Sequence, residues 1–295
     1  MSANGDPQSL EDEIADLERR LHDAKARLRL SETVVATPTP ANDAALHALF
    51  LLSDSALPLG SFAFSSGLES YLAHHKPSPP SASQVPSFHT FLHLSLATLA
   101  STALPYVLAG YRYPADIDTL DNDFDASTPC TVARRASVAQ GRALLTVWDR
   151  SFKAQHTTPA TPANVGSGQD LSKGVAAIDA LASFSASLRT ASPPNAHLAP
   201  LWGLVANVLS VPLHDSAYLF LFSHARTVIS AAVRASVLGP YQAQAVLAST
   251  ELQSRIRGLV EEGWDRKIED AGQSVPVMDL WVGRHEKLYS RIFNS

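Results

Sequence analysis

The sequence predicts an all-α fold: a single compact helical bundle with a heptad-patterned helical arm at its N-terminus. Three observations carry this reading. Much of the 295-residue chain lies in Ala- and Leu-rich runs whose apolar positions recur every three or four residues, the period of one helix face. Clusters of Pro, Gly and Ser separate these runs, as helix breakers do. No stretch shows the alternation of strands, the rhythm of βαβ units, or a fixed helical repeat. With 45% hydrophobic residues, the chain has ample material for a core.

Taken in order, residues 1–41 read as the arm. Leu10, Ile14, Leu17, Leu21, Ala24 and Leu28 recur at alternating steps of four and three, a short coiled-coil seam with charged flanks. Such a helix folds back on the body, is unstable alone, or pairs with a second copy. Thr33 to Pro40 reads as a linker. The all-helical domain then spans 42–295. A helix through Leu46 to Leu52 should stop before Pro58, which lacks a backbone donor and fixes φ. Gly60 is the permissive turn residue. Ser66 and Glu69 have the spacing of a capping box for the next helix. Phe62 and Phe64 alternate, as in an extended segment with both rings on one side.

Val85–Leu108 carries a helical stripe of Phe88, Phe91, Leu92, Leu96, Leu99 and Ala103. The region 112–130, with Asp116, Asp118, Asp121, Asp123 and Asp125, reads as an acidic loop insertion. Thr131–Gln155 returns to helix. A Thr/Pro/Gly/Ser tract over 156–170 reads as a disordered second insertion. Helical runs follow at about Ser172–Arg189, His197–Leu209, Asp215–Leu238 and Tyr241–Ile268. The tail, 276–295, is unusually rich in Trp281, Leu288, Tyr289, Ile292 and Phe293 for a chain end, so it must dock on something. If it is helical, Arg284, Lys287 and Arg291 form a basic stripe beside the apolar one, a combination common at interfaces.

Composition narrows the chemistry. A net charge of −5 lacks the basic footprint of a nucleic-acid binder. The single cysteine, Cys130, allows neither an internal disulfide nor a cysteine metal cluster, which suits a reducing compartment. The polar, acidic N-terminus is unlike a leader. Val211–Leu238, the stretch nearest to a membrane span, is interrupted by His214, Asp215, His224, Arg226 and Arg234. Gly166–Lys173 lacks the Gly-Lys-Ser/Thr order of a phosphate loop, and no Gly-x-Ser-x-Gly elbow exists. His89 and His93 could face one metal across a helical turn, but no third ligand is near in sequence. His74-His75 fits weak metal binding and a solvated loop equally well, while the aspartate run, without the Gly and Glu of a calcium loop, reads as a solvated loop. No cofactor is expected. Glu69 and His285 are the only pair left from which a small helical enzyme could be built.

Two strings carry a family resemblance. "SDSALPLGSFAFSSGLE", residues 53–69, is similar to the N-terminal signature of the urease accessory protein UreF family. Arg284-His285-Glu286 and Leu288-Tyr289-Ser290-Arg291-Ile292-Phe293 resemble its C-terminus, with Ile292 in place of Leu. Arg134-Arg135, Gly141–Leu145 and Tyr218–Gly239 resemble its central helices more weakly. The resemblance implies an all-α, non-catalytic, cytoplasmic helper in nickel insertion. Such a helper dimerises, binds a UreD/UreH-type partner, and recruits the GTPase UreG to apo-urease. It also implies that Phe62, Phe64, Glu69, Arg284, His285, Glu286, Tyr289, Ser290, Arg291 and Phe293 lie at a partner-binding surface. The competing readings are a generic adaptor dimerising through residues 10–28 and the small enzyme using Glu69 and His285.

Overall fold

The computed structural model describes residues 40–76, 78–79, 82–157 and 168–294. The heptad seam at 10–28 lies outside these, as does most of the 156–170 tract. The described helices are α1 (Pro40–Ser53), α2 (Leu68–His74), α3 (Val85–Thr102), α4 (Leu104–Arg112), α5 (Ile117–Ser127), α6 (Thr131–Val147), α7 (Lys153–Thr157), α8 (Gly168–Ser187), α9 (Leu198–Val208), α10 (Leu213–Arg234), α11 (Pro240–Leu247), α12 (Thr250–Gly263) and α13 (Val277–Arg284). The fold is all-α, with no strand among the described residues. From Ala44 onward the chain packs as one unit.

The centre is α9. Ala199 to Ala206 are all buried, and a helix apolar on every side belongs in the middle of a core. It lies against α4 and α6. The approach is close enough to require glycine. A Cβ on Gly203 would overlap the Val107 carbonyl oxygen, one on Gly110 that of Pro200, and one on Gly141 that of Ala196. α3 and α4 nearly join. They part at Ala103, just ahead of Pro105, which lacks an N–H. Together they span 28 residues, long and apolar enough to cross a membrane, with 67% of the apolar window buried inside the fold. The sequence had pointed to Val211–Leu238 instead.

Three expectations are corrected. The acidic segment within 112–130 is not a loop: α5 fills it, burying Ile117, Leu120 and Phe124. These lie at i, i+3 and i+7, one helix face, and the surrounding aspartates hid the period. Asp121 is fully buried. Its carboxylate accepts the Ala196 and His197 backbone N–H groups at 2.9 and 2.6 Å, just before α9. The run 215–238 ends at Arg234, followed by Ser236 at φ 58°. The run 241–268 breaks in two, with Ser249 capping α12 through the Leu252 N–H at 3.2 Å.

Candidate functional site

The two strings singled out from the sequence meet in space. In the first, Gly60 (φ 71°), Ser66 (φ 54°) and Gly67 (φ 89°) are left-handed. Between them Ser61–Ala63 forms a single 3₁₀ turn. The segment is therefore coiled rather than extended, and its two rings part. Phe62 is 70% exposed, whereas Phe64 is 9% exposed and belongs to the core. The expectation that both face one side is overturned. Gly67 has a steric reason too: a Cβ there would sit 2.9 Å from Val282 Cγ2, so its absence lets α13 approach.

The tail is helical only through Arg284. His285–Lys287 is one 3₁₀ turn and the remainder is extended or bent. The basic stripe that a continuous helix would make does not form. α13 packs on α2 and α6, with Trp281 edge-on to Tyr71 at 4.6 Å between ring centres. Burial raises the Tyr71 hydroxyl pKa. The chain then doubles back, and Asn294 N–H donates to the Ala63 carbonyl at 2.8 Å.

Glu69 closes this loop. Its carboxylate accepts the Ile292 N–H at 2.7 Å and the Phe293 N–H at 3.3 Å, across 223 and 224 residues of chain. The capping-box expectation is corrected: Gly67 is the N-cap of α2, with no side-chain cap bond. The hydroxyl near the Glu69 N–H is that of Ser65, at 3.4 Å. His285 is fully buried. Its Nε2 lies 3.0 Å from the Phe293 carbonyl oxygen, which can only accept, so Nε2 carries the hydrogen. Its Nδ1 lies 3.7 Å from Glu69 Oε2 and makes no hydrogen bond. The structure thus brings Glu69 and His285 together, but both are engaged in holding the tail backbone.

The sequence missed two other anchors. The Arg234 guanidinium, its pKa lowered by burial, lies 4.3 Å from the Phe293 ring centre. Arg135 pairs with Glu286, which also accepts from Arg291 at 3.1 Å. The hydrogen bond and charge of Arg135 hold the Glu286 carboxyl below its ordinary pKa. In the sequence Arg234 stood out only as one of the charges interrupting the apolar run Val211–Leu238. Phe293 and His285 are buried, while Arg284, Glu286, Tyr289, Ser290 and Arg291 remain exposed. Phe62, Leu280, Tyr289 and Ile292 are large exposed apolar residues in the same two segments. Among the described residues, no group of three or more His, Cys, Asp or Glu could hold a metal ion.

Fold and site define a class: an all-helical body whose N-terminal joint and C-terminal tail are locked into one surface of exposed apolar and charged side chains. The UreF family model matches residues 83–251. The chain is 36% identical over 249 residues to an uncharacterised UreF-like urease accessory protein of Schizosaccharomyces pombe, covering 84% of this chain and 97% of that one. It is 31% identical over 252 residues to urease accessory protein F of Arabidopsis thaliana, covering 83% and 90%. It is 26% identical over 309 residues to urease accessory protein 6 of Cryptococcus neoformans, covering 85% and 97%. The chain belongs to the UreF family. The joint and the tail lie outside the residues that the family model matches.

Proposed function

We propose that this chain serves urease maturation as a non-catalytic docking scaffold. It binds a UreD/UreH-type partner through the joined joint–tail surface and recruits a UreG-type GTPase to apo-urease. GTP hydrolysis by that GTPase is coupled to delivery of nickel, which is cargo and not a cofactor of this chain. The working form is a cytoplasmic homodimer. One observation carries the reading beyond family membership: Glu69, His285, Arg234 and Arg135 fix the tail, while Phe62, Leu280, Tyr289 and Ile292 stay exposed beside it. Exposed apolar side chains on a fixed frame lose little conformational entropy on docking, and aromatics are frequent interface anchors.

The test is co-expression with a UreD/UreH-type protein and a UreG-type GTPase, followed by co-purification. The double variant Tyr289→Ala, Ile292→Asp should lose the complex while keeping the wild-type unfolding midpoint. Failure of the wild-type chain to form the complex would end the scaffold reading. A complex that survives the double variant undiminished would remove the tail from the interface.

A further inference from the structure

A cavity of about 440 Å³ lies between α3 and α10, with one wall formed by α13. Its volume is that of a small-molecule site. The rim includes exposed Asp54, Ser55 and Ser230, and the inner wall includes buried Leu52, Trp202 and Phe220. The two facing helices line it with hydroxyls, Ser95, Thr98 and Thr102 from α3 and Ser223, Thr227 and Ser230 from α10. Apolar residues would normally fill such a bundle interior.

Three features bear on what it holds. Thr98 Oγ1 and Ser223 Oγ are buried atoms with no hydrogen-bond partner, a cost that native cores rarely carry unexplained. Arg226 lies one helical turn after Ser223. It donates to the Ser53 carbonyl, and none of the ion pairs among the described residues involves it. Burial lowers its pKa, opposed only by the charge of Asp54. His224 also lines the cavity, its Nε2 2.7 Å from Ser95 Oγ. Burial takes its pKa down to about 4, so it is neutral at pH 7. Among the described lining residues Arg226 is the one cation, flanked by the free Ser223 hydroxyl and continued by an apolar interior; the carboxylates on the lining are Asp54, exposed at the rim, and Asp279 on α13.

We propose that this cavity binds an amphipathic monocarboxylate, its head on Arg226 and Ser223 and its apolar chain directed towards Trp202 and Phe220. The guanidinium has a backbone acceptor and the nearby charge of Asp54 but no ion pair among the described residues; an anion would add charge-assisted hydrogen bonds to it, and the Ser223 hydroxyl gains an acceptor. The inner wall favours a hydrocarbon body over a small hydrophilic anion. The cavity shares Phe62, Phe64 and the α13 wall with the joint and tail segments, but the proposal does not rest on the docking role.

The test is calorimetric titration of the full chain with decanoate, decanol and decyltrimethylammonium below their micellar ranges. Decanoate should bind at one per chain and at least tenfold tighter than decanol or the cation. Arg226→Gln should bring decanoate down to the decanol level while leaving the unfolding midpoint of the empty protein close to wild type. Absence of saturable decanoate binding, more than one site per chain, or equal binding of all three probes overturns the proposal. Undiminished decanoate binding by a folded Arg226→Gln variant also overturns it. If that variant fails to fold, the comparison of the three probes on the wild-type chain decides.

Discussion

Glu69→Ala should free the tail without unfolding the body. The wild-type carboxylate accepts two backbone donors, Ile292 N–H at 2.7 Å and Phe293 N–H at 3.3 Å. Hydrogen bonds to a charged group contribute about 1.5–3 kcal/mol each. The two effects will not add. Ile292 is 61% exposed, so its N–H can turn to water, and the longer bond is the weaker one. A local loss of about 2 kcal/mol is therefore expected, equivalent to roughly thirtyfold more frequent opening. Ala is a good helix former and α2 has no cap bond from Glu69 to lose, so the global midpoint should move little. Native-state hydrogen exchange reads this directly. Ile292, Phe293 and Asn294 amides should exchange about thirtyfold faster, and those of α4, α9 and α10 at the wild-type rate. Glu69→Gln retains one acceptor oxygen and should fall between the two. Unchanged exchange at Ile292 and Phe293 would refute the clamp. Faster exchange throughout the body would show that Glu69 supports the fold instead.

Two further outcomes follow from the same geometry. Phe64→Ala, in the core, should cost about 3–5 kcal/mol in denaturant unfolding; Phe62→Ala should leave stability within about 0.5 kcal/mol and weaken only the complex with the UreD/UreH-type partner. His224 takes up a proton at about 4 in the folded chain against 6.5 ordinarily, so the unfolded state binds more protons between those values. Its stabilising contribution is intact above pH 6.5 and is lost as pH falls towards 4. His224→Gln should accordingly reduce the stability lost between about pH 7.5 and 5.5 by roughly 1 kcal/mol, allowing for the residue's partial exposure. An identical pH slope in the variant would show that the ring is solvated.

Helix periods, Pro and Gly breaks, and the apolar load of the tail were legible because each is a local pattern. The helical character of Val85–Leu108 and Thr131–Gln155 could be read from spacing alone, but not the break at Ala103 or the π-helical turn at Trp148–Phe152. What escaped depended on contacts far apart in the chain. α5 was hidden because two of its aspartates face inward: Asp121 meets the backbone at Ala196 and His197, and Asp125 lies 3.1 Å from His197 Nε2 and 3.3 Å from Arg134 Nε. An aspartate that caps another segment looks, in sequence, like one that faces water. The α4–α9 crossing was likewise unreadable, since Gly110 and Gly203 become steric necessities only once their helices are paired.

The joint and the tail show the same limit from the other side. Both strings stood out in the sequence, yet nothing in either names the other. Glu69 three residues after Ser66 fits a local cap, and a local partner is the natural inference from a local pattern. The fold overrides it because the residues before α2 are left-handed at Ser66 and Gly67. That geometry makes Gly67 the N-cap, which has no side chain to bond, and leaves the Glu69 carboxylate to the returning chain end. Gly67 also admits α13, the helix that delivers His285 beside Glu69. One short run of backbone conformation thus sets three things: the burial of Phe64, the exposure of Phe62, and the availability of Glu69 for the tail.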